Sequence, residues 1–384
     1  MYKQGGGSRH LQGFINALGT LDSQTEYILY LDHRFPFESS YPNIHVRRVF
    51  TKSQVYRLWW DQITLRRIMK QENVDLMLAI FVFGALAPPS PQIVFQRNSL
   101  FFCREYLKQI PFWSSFKFEI WLRRQIIYLT MRGSQAIVVP SAAMRKMIRS
   151  FYPQIPGQRF SVIPHAFELS HFLKAESLDS SIQAKINSVT KDILKLLYVS
   201  HLEPHKGFDI LFGAAKVLLE RKIRFFLFTT MDFQDGKADF VRLQAFIRSA
   251  GLNNQIINLG RVPEDQVHHL YRSADIFVFP SLCESFGFPM KEALAMGLPI
   301  VAADTAINRE ICGQSAVYYP PQNPVAMADA IQNLIETPGK RADLSQLAAE
   351  HFRQTTIDWE TYTMWVIDLI QKVVRGDNKQ SNRV

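Results

Sequence analysis

The sequence predicts an α/β protein made of two doubly wound domains. The chain has 384 residues, about twice what one hydrophobic core usually organises. In both halves, short apolar runs typical of buried strands alternate with helix-like stretches. This alternation is typical of a parallel sheet covered by helices on both faces. Such folds bind ligands beyond the carboxyl ends of their strands, so we expect a ligand cleft between the two domains.

The first half contributes helices and strands in turn. Residues 7–18 have apolar side chains at helical spacing, and residues 65–70 and 113–132 are helical in character. Buried strands are predicted at residues 27–31, 76–83, 92–95 and 136–139.

The second half repeats this order, and helical patterns such as 208–220 and 263–273 follow most of its strands. The strands are predicted at residues 194–199, 225–229, 256–259, 276–279, 299–302 and 316–318. The last helical pattern is amphipathic, with Trp359, Tyr362, Trp365 and Leu369 at three- and four-residue spacings.

The composition places the domain boundary in a polar, serine-rich region. We predict a first domain at 1–167, a linker region at 168–192 and a second domain at 193–355. Residues 356–384 then form a helix that crosses back to the first domain, followed by a polar tail.

Charge is unevenly distributed along the chain. Residues 1–170 hold 21 Lys and Arg against 10 Asp and Glu, a net charge of +11, whereas the rest has a net charge of −1. The excess suggests an anionic partner for the first half, and charge alone does not choose between nucleic acid, an anionic bilayer and a phosphorylated substrate. Three cysteines without CxxC spacing predict neither a disulfide framework nor a zinc site. No apolar run is long enough to span a membrane, and no signal peptide opens the chain, so we expect a soluble protein of the reducing cytoplasm.

Glycines open the first predicted helix. Gly5, Gly6 and Gly7 precede Ser8 and Arg9, and glycines let a backbone approach an oxyanion at a helix N-terminus. The dinucleotide fingerprint is incomplete because the third glycine is missing. A tight turn would explain the glycines equally well.

The strongest candidate site lies in the second half. Lys206 stands between a buried strand and the next helix, where it could pair with a diphosphate, although a lone lysine is usually just solvated. Glu284 and Glu292 are eight residues apart, with Gly287 and Pro289 between them, so they cannot share one helix face. Each carboxylate could hold a different part of one extended ligand, and amides near Gly287 suit hydroxyl or phosphate oxygens. Helix capping by one acid and solvation of the other would also account for the pair.

These residues resemble a known family. The Glu284-x7-Glu292 pattern between Pro280-Ser281 and Gly297-x-Pro299, together with Lys206-Gly207, is similar to the donor domain of retaining GT-B glycosyltransferases of family 4 (glycosyl transferases group 1). The resemblance covers about residues 5–335 and is stronger from Leu194 onward. It implies two Rossmann-like domains that face a central cleft.

The resemblance also implies roles for individual residues. It places Glu292 on the ribose of a nucleotide, Glu284 beside the transferred sugar and Lys206 on the diphosphate. The amides of Phe286 and Gly287 would hold sugar hydroxyls. The remaining donor-binding candidates are Gly6, Gly7, His201, Gly260 and Arg261.

Three segments depart from the family pattern. Ile163-Pro164-His165-Ala166 stands where the interdomain Ile-Pro-Asn-Gly is usual. Ser200-His201-Leu202 stands where Gly-Arg-Leu is usual, so a titratable group replaces a cation. Gln96-Arg97-Asn98 stands where many members have His-Asp or His-Asn, which leaves Asn98 as the expected third catalytic residue beside Glu284 and Lys206.

A basic, aromatic stretch runs over residues 95–159. Such a composition can bind single-stranded nucleic acid or lie in a membrane interface. We expect most of the aromatic side chains to be core, and the rest to contact an anionic membrane rather than nucleic acid. The aromatic residues in question are Phe101, Phe102, Phe112, Trp113, Phe116 and Trp121.

We therefore expect a hexosyltransferase that uses a nucleotide diphosphate sugar as donor substrate, with no cofactor and no metal, because no DxD motif is present. The acceptor would be a hydroxyl of a glycan or glycolipid, in cell-surface polysaccharide or glycolipid synthesis, and the protein would lie in the cytoplasm, peripherally on the inner face of the membrane. A nucleotide sugar epimerase of the same fold, and an inactive homologue that binds a glycan or a partner, are the alternatives.

No strand is predicted before the first helix of the first domain. In a doubly wound sheet the glycine loop follows a central strand, yet only four residues precede Gly5. The sheet should then have two unpaired strand edges and a hydrophobic trench. We expect the true start of the chain to lie upstream, or this chain to be a truncated product.

Overall fold

The computed structural model describes residues 6–50, 53–175, 177–190, 192–232 and 237–376. The chain divides into two compact units. The first comprises Met1–Phe102, Ile110–Phe167 and Ile357–Val384, and the second comprises Cys103–Gln109 and Glu168–Thr356. Gly5 and the polar tail at 377–384 lie outside the described residues.

The secondary structure alternates as predicted. The strands are β1 (Tyr27–Asp32), β2 (Ile44–Val49), β3 (Met77–Ala79), β4 (Gln92–Phe95), β5 (Ala136–Val139), β6 (Phe160–Val162), β7 (Leu194–Tyr198), β8 (Phe225–Thr229), β9 (Ile256–Asn258), β10 (Ile276–Phe279), β11 (Ile300–Ala303) and β12 (Ala316–Tyr319). The α-helices are α1 (Gly6–Leu21), α2 (Gln54–Trp59), α3 (Leu65–Gln71), α4 (Arg104–Gln109), α5 (Ser115–Arg132), α6 (Ala142–Phe151), α7 (Leu169–Phe172), α8 (Ser180–Asn187), α9 (Phe208–Glu220), α10 (Lys237–Ser249), α11 (Val267–Arg272), α12 (Phe288–Ala295), α13 (Ala306–Cys312), α14 (Pro324–Glu336), α15 (Lys340–Thr355) and α16 (Trp359–Arg375).

The first unit has two parallel sheets. Strands β1 and β2 pair with each other, and β3, β4, β5 and β6 form a second sheet in that order. Within the described residues, no strand joins β1 to β3. Both sheets nevertheless contribute to one core, in which Phe14 of α1 and Val366 of α16 pack with Leu31, Phe95 and Val138.

The second unit has one six-stranded parallel sheet. Its strand order is β12-β11-β10-β7-β8-β9. Strand β10 is apolar and wholly buried, as are β11 and most of β7, which is typical of central strands covered on both faces. The prediction of a doubly wound α/β fold is thereby confirmed. The order also makes β7 and β10 neighbours, so the loops that follow them begin side by side at the carboxyl edge of the sheet.

Some segments differ from the sequence expectation. Residues 168–192 were expected to form a linker, but they contain α7 and α8 and lie in the second unit. Strands β2 and β6 were not predicted, because β2 carries His45, Arg47 and Arg48 and β6 has only three residues. By contrast, α16 is the helix that was expected within 356–384, and it lies in the first unit, against α1.

The expectation that most aromatic side chains of the basic stretch are core is wrong. Phe101 and Phe102 are buried, whereas the other four are exposed. Helix α5 turns Ile120, Ile127 and Met131 inward and leaves the aromatic side chains of its N-terminal half outside. The other two exposed aromatic residues lie in the loop before α5. The exposed ones are Phe112, Trp113, Phe116 and Trp121.

None of the helices in the described part of the chain is both long and apolar enough to cross a bilayer. The three cysteines are buried and form no disulfide bond. Among the described residues, no group of three or more histidine, cysteine or acidic side chains is arranged to hold a metal ion.

Candidate active site

The centre of the candidate site is an ion pair between two neighbouring loops of the second unit. Lys206 lies in the loop after β7, and Glu284 lies in the loop after β10. Lys206 Nζ donates to Glu284 Oε1 at 2.6 Å, and both side chains are largely buried. The structure therefore brings together two residues that are 78 positions apart in the sequence.

Backbone geometry fixes the position of Lys206. The residue ends a short 3₁₀ turn (Pro204–Lys206), and the Tyr198 hydroxyl donates to its carbonyl oxygen at 2.6 Å. Gly207 follows with φ +72°, and a Cβ atom at this position would lie 2.6 Å from the Pro280 carbonyl oxygen. Only glycine fits both the left-handed conformation and the contact, so the β7 loop can lie directly against the β10 loop.

Glu284 is held by groups of the same two loops. The Ser281 hydroxyl donates to Glu284 Oε1 at 2.6 Å, which gives this oxygen two short charge-assisted hydrogen bonds. The Leu282 amide donates to the His205 carbonyl oxygen at 3.0 Å, so the backbones are joined as well. His205 lies beside the ion pair, and its pKa is lowered to about 4 by burial and by the Lys206 charge. This histidine is therefore neutral at pH 7.

Helix α12 carries the second acid. Gly287 precedes the helix with φ +80°, where a Cβ atom would lie 2.4 Å from Met290 Cε. Glu292 is half-buried, and the buried Tyr271 hydroxyl donates to its Oε2 at 2.8 Å. Burial and the neighbouring Glu292 raise the pKa of Tyr271 well above its ordinary value. Along the chain, Glu284 precedes the N-terminus of α12 and Glu292 lies within the helix. The partial positive charge of a helix N-terminus favours anionic and hydroxyl oxygens.

Three other predicted donor-site residues lie in loops that start at the same edge of this sheet. His201 is exposed in the β7 loop, where the Ser200 hydroxyl donates to its carbonyl oxygen at 3.0 Å. Gly260, with φ +76°, and the exposed Arg261 follow β9. Because the sheet is parallel, the loops after β7, β9 and β10 share its carboxyl edge.

The remaining predicted site residues belong to the first unit. Gly6 and Gly7 are the first two residues of α1, as the sequence predicts for a helix-opening glycine pair. Asn98 follows β4, and its Oδ1 accepts from the Leu100 amide at 3.0 Å, which caps a 3₁₀ turn. A helix-capping role therefore accounts for part of the hydrogen-bonding capacity of Asn98.

The arrangement suits the binding of a phosphorylated, hydroxyl-rich ligand. An ammonium group carries three N–H donors, and Glu284 accepts from one of them, so Lys206 can also donate to a phosphate oxygen. A carboxylate such as Glu292 can accept hydrogen bonds from two vicinal hydroxyls.

Sequence reasoning did not identify the side chains that hold the charged ones. These are Tyr198, which donates to the Lys206 carbonyl oxygen, Tyr271, which donates to Glu292, and Ser281, which donates to Glu284. Ser281 stands within the Pro280-Ser281 motif and could have been recognised as a partner of Glu284, three residues on. Tyr271 belongs to a different helix, and nothing in the sequence places it against Glu292.

Comparisons with protein families match both units. Residues 179–351 match the family described as Glycosyl transferases group 1, and residues 4–171 match the one described as Glycosyltransferase Family 4. The two matches follow one another and together account for most of the chain.

A curated relative is similar over more than half of this chain. A D-inositol 3-phosphate glycosyltransferase of Paenarthrobacter aurescens is 28% identical over 221 residues, which cover 57% of this chain and 53% of the relative. The chain spans about half the length of the curated relatives it matches.

Solved structures share the fold over nearly the whole chain. Sucrose-phosphate synthase from Thermosynechococcus elongatus superposes with a TM-score of 0.74 at 17% identity, over 97% of this chain and 94% of that one. Anabaena Alr3699/HepE, solved with UDP, superposes with a TM-score of 0.69 at 19% identity, over 96% and 97% of the two chains. The same protein has also been solved with UDP-glucose.

Proposed function

This chain belongs to the group 1 glycosyltransferases of family 4, which have the two-domain GT-B fold, and we therefore propose that it transfers a hexose from a nucleoside diphosphate sugar to a hydroxyl group of a glycan or glycolipid. The proposed setting is cell-surface polysaccharide or glycolipid synthesis. Retention of the anomeric configuration is proposed from the family resemblance. The nucleotide sugar is a substrate, and we assign no cofactor.

The observation that carries the proposal is the Lys206–Glu284 pair at the carboxyl edge of β7 and β10. A buried ion pair adds little to stability after desolvation, so stability alone does not account for it. Its position beside the N-terminus of α12 suits a ligand that carries both phosphate and hydroxyl groups. The complexes of Alr3699/HepE with UDP and UDP-glucose support such a ligand for this fold.

In the proposed complex, Lys206 neutralises the diphosphate and Glu292 accepts hydrogen bonds from the ribose. Glu284 lies beside the hexose and keeps the ammonium group of Lys206 in place. When the bond between the sugar and the diphosphate breaks, negative charge develops on the leaving group, and a fixed cation lowers the cost of that charge. The other proposed contacts are Phe286, Gly287, His201, Gly260, Arg261, Gly6 and Gly7 with the donor, and Asn98 at the reaction centre.

Donor turnover without acceptor tests this function. The protein is incubated in turn with UDP-, GDP- and ADP-hexoses, and free nucleoside diphosphate and sugar are measured. We expect slow hydrolysis of one donor class, and Lys206→Ala should reduce the rate about a hundredfold or more. Lys216→Ala is the matched control, because Lys216 is an exposed lysine on α9 of the same unit.

The alternatives give different products in the same assay. Interconversion of sugar isomers without release of nucleotide would identify an epimerase. Absence of turnover with every donor, despite nucleotide binding, would identify an inactive homologue. Either result would contradict the proposed transfer reaction.

We also propose that the protein works in the cytoplasm, on the inner face of a membrane, through α5 and the loop before it. Trp113 is 91% exposed, Phe112 73% and Phe118 64%. Aromatic side chains of this size favour the interface between water and lipid. Helix α5 also carries four basic residues against one acidic residue, so anionic headgroups would add to its attraction.

Vesicle co-sedimentation tests the membrane proposal. The protein should pellet with anionic vesicles at low salt and less at 1 M salt, because the Debye length falls from about 10 Å at 0.1 M to about 3 Å. A Trp113→Ser, Trp121→Ser double variant should bind several-fold more weakly. Trp365→Ser is the control, since Trp365 is an exposed tryptophan of α16 in the same unit. Equal binding of the double variant and the control would contradict the assignment to α5.

A further inference from the structure

Arg97 stands in the first unit without an acidic partner. It follows β4, so it lies at the carboxyl edge of the β3–β6 sheet. Its Nη2 lies 3.3 Å from the Tyr362 hydroxyl, and its Cζ lies 5.4 Å from the centre of the Phe95 ring. Its buried Nε has no hydrogen-bond partner. Across the described residues, no carboxylate forms an ion pair with Arg97.

Two histidines surround this cation, and both are neutral. His10 of α1 and His165, which follows β6, have rings 4.5 Å apart. Burial lowers the pKa of both imidazoles well below the usual value, and the Arg97 charge lowers it further. The cluster therefore has a net positive charge at neutral pH.

The hydrogen bonds around Arg97 leave two buried nitrogen atoms of the cluster unpaired. Arg97 can only donate, so the Tyr362 hydroxyl oxygen accepts from it, and the same hydroxyl shares a hydrogen bond with His10 Nε2, 3.1 Å away. The other ring nitrogen, His10 Nδ1, is buried without a partner. Two buried nitrogens, Arg97 Nε and His10 Nδ1, thus lack a hydrogen-bond partner. Arg97 Nε carries a proton in any state, and an unpaired buried donor is costly.

We propose that Arg97, together with His10 and Tyr362, forms a subsite for an anionic oxygen group, a carboxylate or a phosphate, carried by a substrate of the first unit. A guanidinium group binds such groups through two parallel hydrogen bonds. The anion has two chemical sources within the proposed function: a carboxylate on the transferred sugar, or a phosphate or carboxylate on the acceptor. The subsite itself does not depend on the proposed function, which supplies only the molecule that carries the anion.

A binding experiment tests the subsite without any transfer reaction. The full chain is saturated with UDP to fill the donor site and titrated with inorganic phosphate or acetate, while the ¹⁵N-labelled histidine resonances are followed by NMR. We expect the His10 resonance, assigned with His10→Gln, to shift on titration. Arg97→Gln should weaken this binding by roughly ten- to a hundredfold, and Arg97→Lys should weaken it less.

The control is Arg132→Gln, because Arg132 is an exposed arginine of the same unit. If Arg97→Gln does not fold, Arg97→Lys and the wild-type titration still decide the question. The proposal is overturned if the His10 resonance does not respond to either anion, or if both Arg97 variants bind phosphate and acetate as the wild type does.

Paired substrates then identify the source of the anion. If Arg97→Gln weakens binding of UDP-glucuronic acid but not of UDP-glucose, the anion belongs to the sugar. If it raises KM for a phosphorylated acceptor but not for its neutral counterpart, the anion belongs to the acceptor. If the protein binds phosphate through Arg97 but transfers no sugar, the result supports the subsite and contradicts only the proposed function.

Discussion

Lys291 shows how burial alone can change the behaviour of a charged side chain. It lies on α12, next to the residues of the candidate site, and is almost fully buried. Its ammonium group donates to the Thr355 hydroxyl at 2.7 Å, and no carboxylate pairs with it within the described residues. Burial lowers its pKa to about 8, against an ordinary value near 10.4.

This shift predicts a dependence of stability on pH. Between about pH 8 and pH 10 the unfolded chain holds more protons at this lysine than the folded chain, so the free energy of unfolding should rise with pH. The gain from pH 7 to pH 10 should be about 2 kcal/mol. Urea unfolding of wild type and Lys291→Met at both pH values measures it, with Lys216→Met as the exposed control. The same pH dependence in wild type and Lys291→Met would show that Lys291 is not responsible.

At the scale of single residues, the sequence singled out Lys206 and Glu284, which the structure brings together, but not the side chains that contact them. Lys206 and Glu284 could be chosen because their motifs combine a strand, a glycine and a helix. Tyr271, by contrast, meets Glu292 only because α11 and α12 are neighbours in the fold. Long-range contacts of this kind depend on tertiary packing, which local sequence patterns do not contain.

The turns between strands and helices decide where the site residues lie. Gly207 and Gly251 have nearly the same backbone conformation, with φ +72° and +70°. A Cβ atom at Gly207 would meet the backbone of Pro280, whereas one at Gly251 would have nothing within 4 Å. Alanine substitutions at the two glycines therefore distinguish the free-energy cost of the left-handed conformation from the cost of the steric contact.

Gly207→Ala should destabilise the protein more than Gly251→Ala. The left-handed conformation costs an alanine about 1 kcal/mol in both variants, and the clash at Gly207 adds to it because a backbone carbonyl cannot rotate away. Since Lys206 is the adjacent residue, only Gly207→Ala should also weaken nucleotide binding. Urea unfolding and calorimetry with UDP measure the two effects. Equal losses in both variants would contradict the role of the close contact.

Among the elements, apolar strands were predicted well and amphipathic surfaces less well. Residues 276–279 form a strand with the predicted bounds, because a short apolar run rich in β-branched and aromatic residues favours a strand buried on both faces. The exposed aromatic residues of α5 were wrongly expected to be core, because an aromatic residue in the sequence is compatible both with a core position and with a binding surface. Which face of such a helix is buried depends on the elements that pack against it, and these are distant in sequence.

At the scale of the whole molecule, the two units have different characters. The second unit has one continuous parallel sheet, whereas the sheet of the first unit is divided between β1 and β3 within the described residues. The excess positive charge lies in the first 170 residues, which hold α5 and Arg97. We therefore propose that the second unit carries the donor chemistry and that the first unit contacts anionic groups.

The central claim is that the second unit holds a nucleoside diphosphate through Lys206 and Glu292, and calorimetry with UDP, GDP and ADP tests it most directly. The wild type should bind at least one of the three, and Lys206→Ala and Glu292→Ala should each weaken that binding by roughly 1.5 to 3 kcal/mol. Lys216→Ala and Glu336→Ala, on exposed faces of α9 and α14, should bind as the wild type does. Unchanged affinity in both site variants, or no binding of any of the three nucleotides by the wild type, would contradict the claim.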